Sequence, residues 1–174
     1  MRTILGVIFF AAIIGAGWYI NDRQNKVLEF NDRIVELLTQ TNNYFDGYIT
    51  HLDKYYAGNE IDAVQMRTEL DKLGKNAGSA MVAARQITVP DRQECRKFHN
   101  VYIKYLEYNN EIITAYGTVM DYIDTHNPGT ENNFLAIDKI LEPFITGDDA
   151  LFQEIVITQE EMAEKFDFEL KPDD

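Results

Sequence analysis

Few residues in this 174-residue chain could do chemistry, and their spacing limits which chemistry that is. Cys95 is the only cysteine and Ser79 the only serine, and there are three histidines. Cys95 and His99 are four apart, which places them on one face of a helix. They are the candidate metal pair. A closed zinc site needs two further ligands and haem attachment needs Cys-x-x-Cys-His, and neither is present, so a small buried thiol beside a solvent-edge histidine is the favoured reading. No Glu-x-x-His occurs, which removes the di-iron bundle signature. His51 reads as a core or boundary histidine, and His126 as a residue favoured by a helix C-terminus. No cofactor is implied.

Other reaction types lack their parts. There is no phosphate-cradling Gly-rich loop, no Gly-x-Ser-x-Gly elbow and no His-Glu-x-x-His. The stretch from Asp124 to Leu135 has Gly129 at loop position six of an EF-hand, but His126, Pro128 and Leu135 stand where oxygen ligands are required. The acid pairs Asp148-Asp149 and Glu160-Glu161 are adjacent in sequence, point apart on a helix and resemble solvated faces. The sequence therefore predicts no catalytic residue and no enzyme.

Tyrosine is the unusual component, with ten in the chain. Tyr44, Tyr48, Tyr55 and Tyr56 fall in one segment, and Tyr102, Tyr105, Tyr108, Tyr116 and Tyr122 in another. Rings at helical spacing ordinarily fill a core while their hydroxyls reach its boundary. The sharper reading is a small-ligand pocket lined by Tyr44, Tyr48, Tyr105 and Tyr116 with Asn109 and Thr41.

The elements that must position these residues are helical. Apolar residues recur at steps of three and four over about 21–56, 60–87, 92–126 and 131–169, and no strand-type alternation competes. Ala57-Gly58-Asn59, Val89-Pro90-Asp91 and Asn127-Pro128-Gly129-Thr130 separate the segments, with Asp91 suited to cap the third helix. Two features predict irregularity. The small stretch from Gly74 to Ala80 reads as a close-approach face or a local break, and the fourth helix should kink or split near Pro143 and Gly147. The expected fold is all-α: an antiparallel up-down-up-down four-helix bundle over 21–170, with a disordered acidic tail at 171–174.

Ahead of the bundle, residues 3–20, from Thr3 to Ile20, carry no charge, and Trp18-Tyr19 falls where an interfacial aromatic belt would be. A membrane anchor over 1–20 is expected, flowing into the first helix. The rival is a signal peptide cleaved after Gly17. With the short head in the cytoplasm, the bundle lies outside it, and a bacterial inner membrane is the expected location. The net charge of −13 argues against nucleic acid. These features together predict a non-catalytic, membrane-anchored scaffold or accessory subunit that docks another envelope protein. Two alternatives are a small-molecule or metal sensor using the tyrosine-lined interior, and an acidic inhibitor or immunity protein for a basic enzyme.

Overall fold

The computed structural model describes residues 10–12, 22–126 and 131–172. Four helices dominate it: α1 Asp22–Tyr56, α2 Ala63–Arg85, α3 Gln93–Ile123 and α4 Glu131–Phe166. A two-stranded antiparallel pair joins β1, Phe10–Ala12, to β2, Leu170–Pro172, with Ala11 opposite Lys171.

Direction follows from side-chain pairs. Arg67 near the start of α2 bonds Asp121 and Asp124 at the end of α3, while Arg85 at the end of α2 meets Glu107. Lys97 near the start of α3 pairs with Glu161 of α4, and Tyr122 near its end bonds Asn133. Consecutive helices are thus antiparallel. α1 and α3 run parallel across the diagonal, since Phe30 meets Phe98 edge to face and Tyr48 meets Tyr116. The expected up-down-up-down bundle follows directly from these contacts.

The interior is divided. One apolar cluster joins Phe30 and Ile34 of α1, Ala84 of α2, Phe98 and Leu106 of α3, and Ile155 and Met162 of α4. A second joins Tyr48 and Leu52, Met66 and Leu73, Val119 and Met120, and Ile137 and Leu141. Burying each such large side chain contributes about 1.5–3 kcal/mol, so each cluster stabilises its own end of the bundle. Polar side chains are also buried. Gln159 Nε2 donates to Asn31 Oδ1 at 2.8 Å inside the first cluster, tying α4 to α1 across 128 residues of sequence. At the far end, Tyr56 donates to Asp138 Oδ1 at 2.7 Å, a second tie between the same helices.

Helix ends and irregularities depart in places from the sequence expectations. Gly58, at φ 72°, closes α1 with Asn59 and Gly58 amides bonded back to Lys54 and Tyr55 carbonyls, as its turn signal predicts. The cap of α3 is Arg92 rather than Asp91, and Asp91 instead pairs with Arg96. α2 starts at the Asp62 cap, which accepts from Gln65 N, and not at Glu60. The stretch from Gly74 to Ala80 neither breaks the helix nor makes a close approach at Gly78, where nothing lies within 4 Å. The helix survives because Leu73, Ala77 and Ala80 are buried on one stripe. α4 is not split either: it runs unbroken through Pro143. The Tyr108 hydroxyl lies 3.3 Å from the Pro143 carbonyl oxygen and 3.0 Å from that of Phe144, fastening α3 to the α4 backbone at and just after the proline.

Two terminal expectations change. Phe10–Ala12 is a strand, not part of a continuous anchor helix, because pairing with β2 satisfies backbone groups that a helix would otherwise satisfy internally. The rest of residues 3–20, including the cleavage point after Gly17, and the turn at 127–130 lie outside the described residues. Among the described residues no helix is long and apolar enough to cross a membrane. Lys171 and Pro172 belong to β2 and not to a tail. Asp167, at φ 56°, ends α4, and the Phe168 amide bonds the Ala163 carbonyl while its ring packs on the first cluster.

The buried amide pair makes a prediction. Gln159→Leu strands Asn31 Oδ1 in the apolar cluster and should lower unfolding free energy by about 1–3 kcal/mol in urea titration. Adding Asn31→Leu should recover part of that loss, whereas strictly additive losses would deny the pair its coupling.

Candidate functional site

Between the two apolar clusters the bundle has a polar waist. Thr41 and Asn42 contribute from α1, Tyr105 and Asn109 from α3, and Asp148 from α4. Its level is fixed by the two α1–α4 ties: Asp148 lies eleven residues from Gln159 and ten from Asp138, midway between them. Tyr105 donates to Asn42 Oδ1 at 3.0 Å, so α3 and α1 are joined at that level. Thr41, fully buried, returns its hydroxyl to the Leu37 carbonyl at 2.7 Å.

What distinguishes the waist is unmet hydrogen-bonding capacity. Asn109 Nδ2 and Asp148 Oδ1 are buried there without partners, as are Tyr102 Oη in the first cluster and Tyr55 Oη in the second, whereas nearly all such atoms in folded proteins are satisfied. Burial, then the neighbouring Asp149, raises the Asp148 carboxyl to about 6. Burial and then the Asp148 carboxylate raise Tyr105, Tyr108 and Tyr116, the last to about 12. These three phenols therefore stay protonated.

A glycine makes the arrangement possible. A Cβ on Gly147 would lie 2.1 Å from the Tyr108 hydroxyl, which occupies the space beside the α4 backbone next to Asp148. Gly147 therefore marks the docking point of Tyr108, not a helix break.

Of the tyrosine-pocket residues, Tyr48 and Tyr116 come together as a stacked pair, centroids 4.5 Å apart, with Tyr48 Oη donating to the Tyr116 carbonyl at 3.2 Å. Both are packing groups of the second cluster. Tyr105 and Asn109 line the waist, and Tyr44 is half-buried at the rim of the second cluster. Sequence reasoning missed Asp148 and Asn42. Asp148 was legible as a member of the apolar stripe of α4, between Leu141 and Phe144 on one side and Phe152 and Ile155 on the other.

The candidate metal residues diverge. Cys95 Sγ faces Met162 Sδ at 3.8 Å, and burial pushes its thiol up to about 11. His99 Nε2 is engaged with the Ala84 carbonyl oxygen at 2.9 Å, and its ring lies against Phe30. Among the described residues no group of three or more His, Cys, Asp or Glu is arranged to hold a metal ion. His51 is buried, and His126 stacks on Tyr122 at the end of α3. An open groove of about 510 Å³ at the other end of the molecule is bordered by Phe30, Arg33, Gln86, Ile87 and Pro90. Its Arg33 is already paired with Glu36.

The waist carboxyl makes stability depend on pH. Its folded value lies above the ordinary carboxylate range, so for this group stability is highest at low pH and falls as pH rises from about 4 to about 6. Asp148→Asn should match wild type near pH 4 and exceed it by roughly 1–3 kcal/mol at pH 7.5 in chemical denaturation. An equal difference at both pH values would contradict a buried ionising group. Gly147→Ala should displace Tyr108 and lower stability by about 1–3 kcal/mol, read from the same titrations.

No protein-family model, curated protein or solved structure matches this chain.

Proposed function

We propose that the chain is a non-catalytic, membrane-anchored interaction module of the cell envelope whose acidic half docks a basic partner protein. The observation that carries this reading is the distribution of charge along the bundle. The half remote from the start of α1, residues 39–74 and 106–150, holds 15 acidic and 4 basic residues. The half at the start of α1, residues 22–38, 75–105 and 151–172, holds 12 acidic and 11 basic. Nearly all of the net charge thus belongs to one end.

Such a separation is not required by folding, because like charges repel and a uniform distribution costs less. It suits a protein held at one end and approached at the other. The uncharged segment 3–20 precedes α1 at the near-neutral end, so membrane attachment through it, in place of the pairing of Phe10–Ala12 with β2, leaves the acidic half facing away. Exposed apolar side chains at the acidic end, Val64 and Leu135, supply contact area within the charged field. A non-catalytic role is supported by the state of the nucleophiles: the Cys95 thiol is buried and its ionisation suppressed, and Ser79 bonds back to the Lys75 carbonyl. The envelope location and single-pass topology rest on the apolar segment following Arg2.

Two measurements test this reading on the full chain in its host. After alkaline and high-salt washing the protein should stay in the membrane pellet with its first twenty residues present by intact mass. Release into the supernatant, or a mass beginning at Trp18, would contradict the anchor. A photo-crosslinking residue at Leu135 should capture a partner protein, with yield falling steeply as salt is raised, while one at Ile157 should not. Salt-independent capture, or equal capture at both positions, would reject docking by the acidic half.

A further inference from the structure

The first and last described residues meet at one end of the bundle. Phe10–Ala12, from the middle of the uncharged segment 3–20, pair antiparallel with Leu170–Pro172: Phe10 stands opposite Pro172, Ala11 opposite Lys171 and Ala12 opposite Leu170. The α4 side prepares this meeting. Gln159 bonds Asn31, so α4 ends where α1 begins, and Asp167, at φ 56°, turns the chain out of the helix. The Phe168 amide then bonds the Ala163 carbonyl and its ring packs on the first cluster, so the fold itself presents β2 to β1. A strand pair and a membrane span are exclusive uses of Phe10–Ala12. In lipid each backbone N–H and C=O must be satisfied within the spanning segment, which requires helix through its centre. In the pair those groups turn to Leu170–Pro172, and Lys171 comes with them, a charge that hydrocarbon disfavours. The pair is also weak by construction. It has three residues a side, a lone two-stranded ladder is marginal in water, and Pro172 has no N–H with which to extend it.

We propose that Leu170–Pro172 is a releasable latch that holds the apolar segment on the bundle away from a membrane and yields it to a bilayer. The inference rests on the anchor reading above, since without a membrane-seeking segment there is nothing to withhold. The latch acts by competition. A paired chain cannot insert, so pairing lowers the fraction of chains competent to attach and weakens apparent membrane affinity by that fraction. The bilayer prevails once present, because it buries the whole of residues 3–20 whereas the latch ties only Phe10–Ala12.

The test is flotation of the full chain, made by cell-free synthesis without detergent, with vesicles of phosphatidylethanolamine and phosphatidylglycerol. Ala11→Cys with Lys171→Cys, in a Cys95→Ala background, lets the pair be closed by oxidation before vesicles are added and reopened by reductant. The oxidised chain should stay unbound and the reduced chain should float. A second variant keeps the native Cys95 and ends the chain after Glu169, retaining Phe168 and the bundle. It should reach half-maximal flotation at a vesicle concentration lower by about threefold or more. Equal flotation of oxidised and reduced chains, failure of the intramolecular disulfide to form, or an unchanged half-point in the shortened chain overturns the latch and leaves the anchor standing. If no form floats, the anchor reading fails and the latch with it.

Discussion

The closure of α4 against α1 is the constraint on which the rest of the structure depends. The other helix neighbours are brought together by connections of a few residues, but the first and last helices meet only when the whole chain has folded. Two polar contacts hold that seam, the Asn31–Gln159 amide pair and the Tyr56–Asp138 hydrogen bond. A purely apolar seam could slide by one helical turn at small cost. A buried amide pair cannot, since a slip strands both groups without water. The register so fixed sets the level of Asp148 midway between the two ties.

The waist is costly in stability and therefore informative. Burial, then the neighbouring Asp149, raises the protonation point of the Asp148 carboxyl, so its ionised form costs stability. Tyr108 and Gly147 add to the same level, the ring taking space that any larger residue at 147 would fill. Unpaired buried polar groups each carry a desolvation cost, and at this level Asn109 Nδ2 and Asp148 Oδ1 both do. The outer surface makes a separate statement, with its charge concentrated at the end remote from the start of α1.

Much of the fold was legible in the sequence because amphipathic periodicity and turn chemistry agree. The stripe from Val27 to Tyr55 and the Gly58 turn specify α1 almost to the residue. Less was legible where tertiary contacts override local preference. Pro143 and Gly147 argue for a break by propensity alone, yet the helix continues, and the Tyr108 hydroxyl on α3, 35 residues away from Pro143, holds the Pro143 and Phe144 carbonyls. Asp148 was misread as a solvated acid because its neighbour Asp149 does point outward, and adjacent helical residues face different ways. Tyr48 and Tyr116 were legible as aromatic interior groups, but their stacking depends on the parallel diagonal of α1 and α3, which no local pattern encodes. The strand at Phe10–Ala12 depends on a partner about 160 residues later in the chain and has no local signature at all.

The central claim is that a carboxyl group ionises inside the bundle with no Lys or Arg of the described residues among the charges that act on it. Site-resolved carbon NMR of the Asp148 carboxyl across a pH titration reads this directly, with Asp148→Asn identifying the resonance. A midpoint of about 6 is predicted. A midpoint in the ordinary aspartate range, about 3.5–4, would contradict it by showing a solvated side chain and no polar waist.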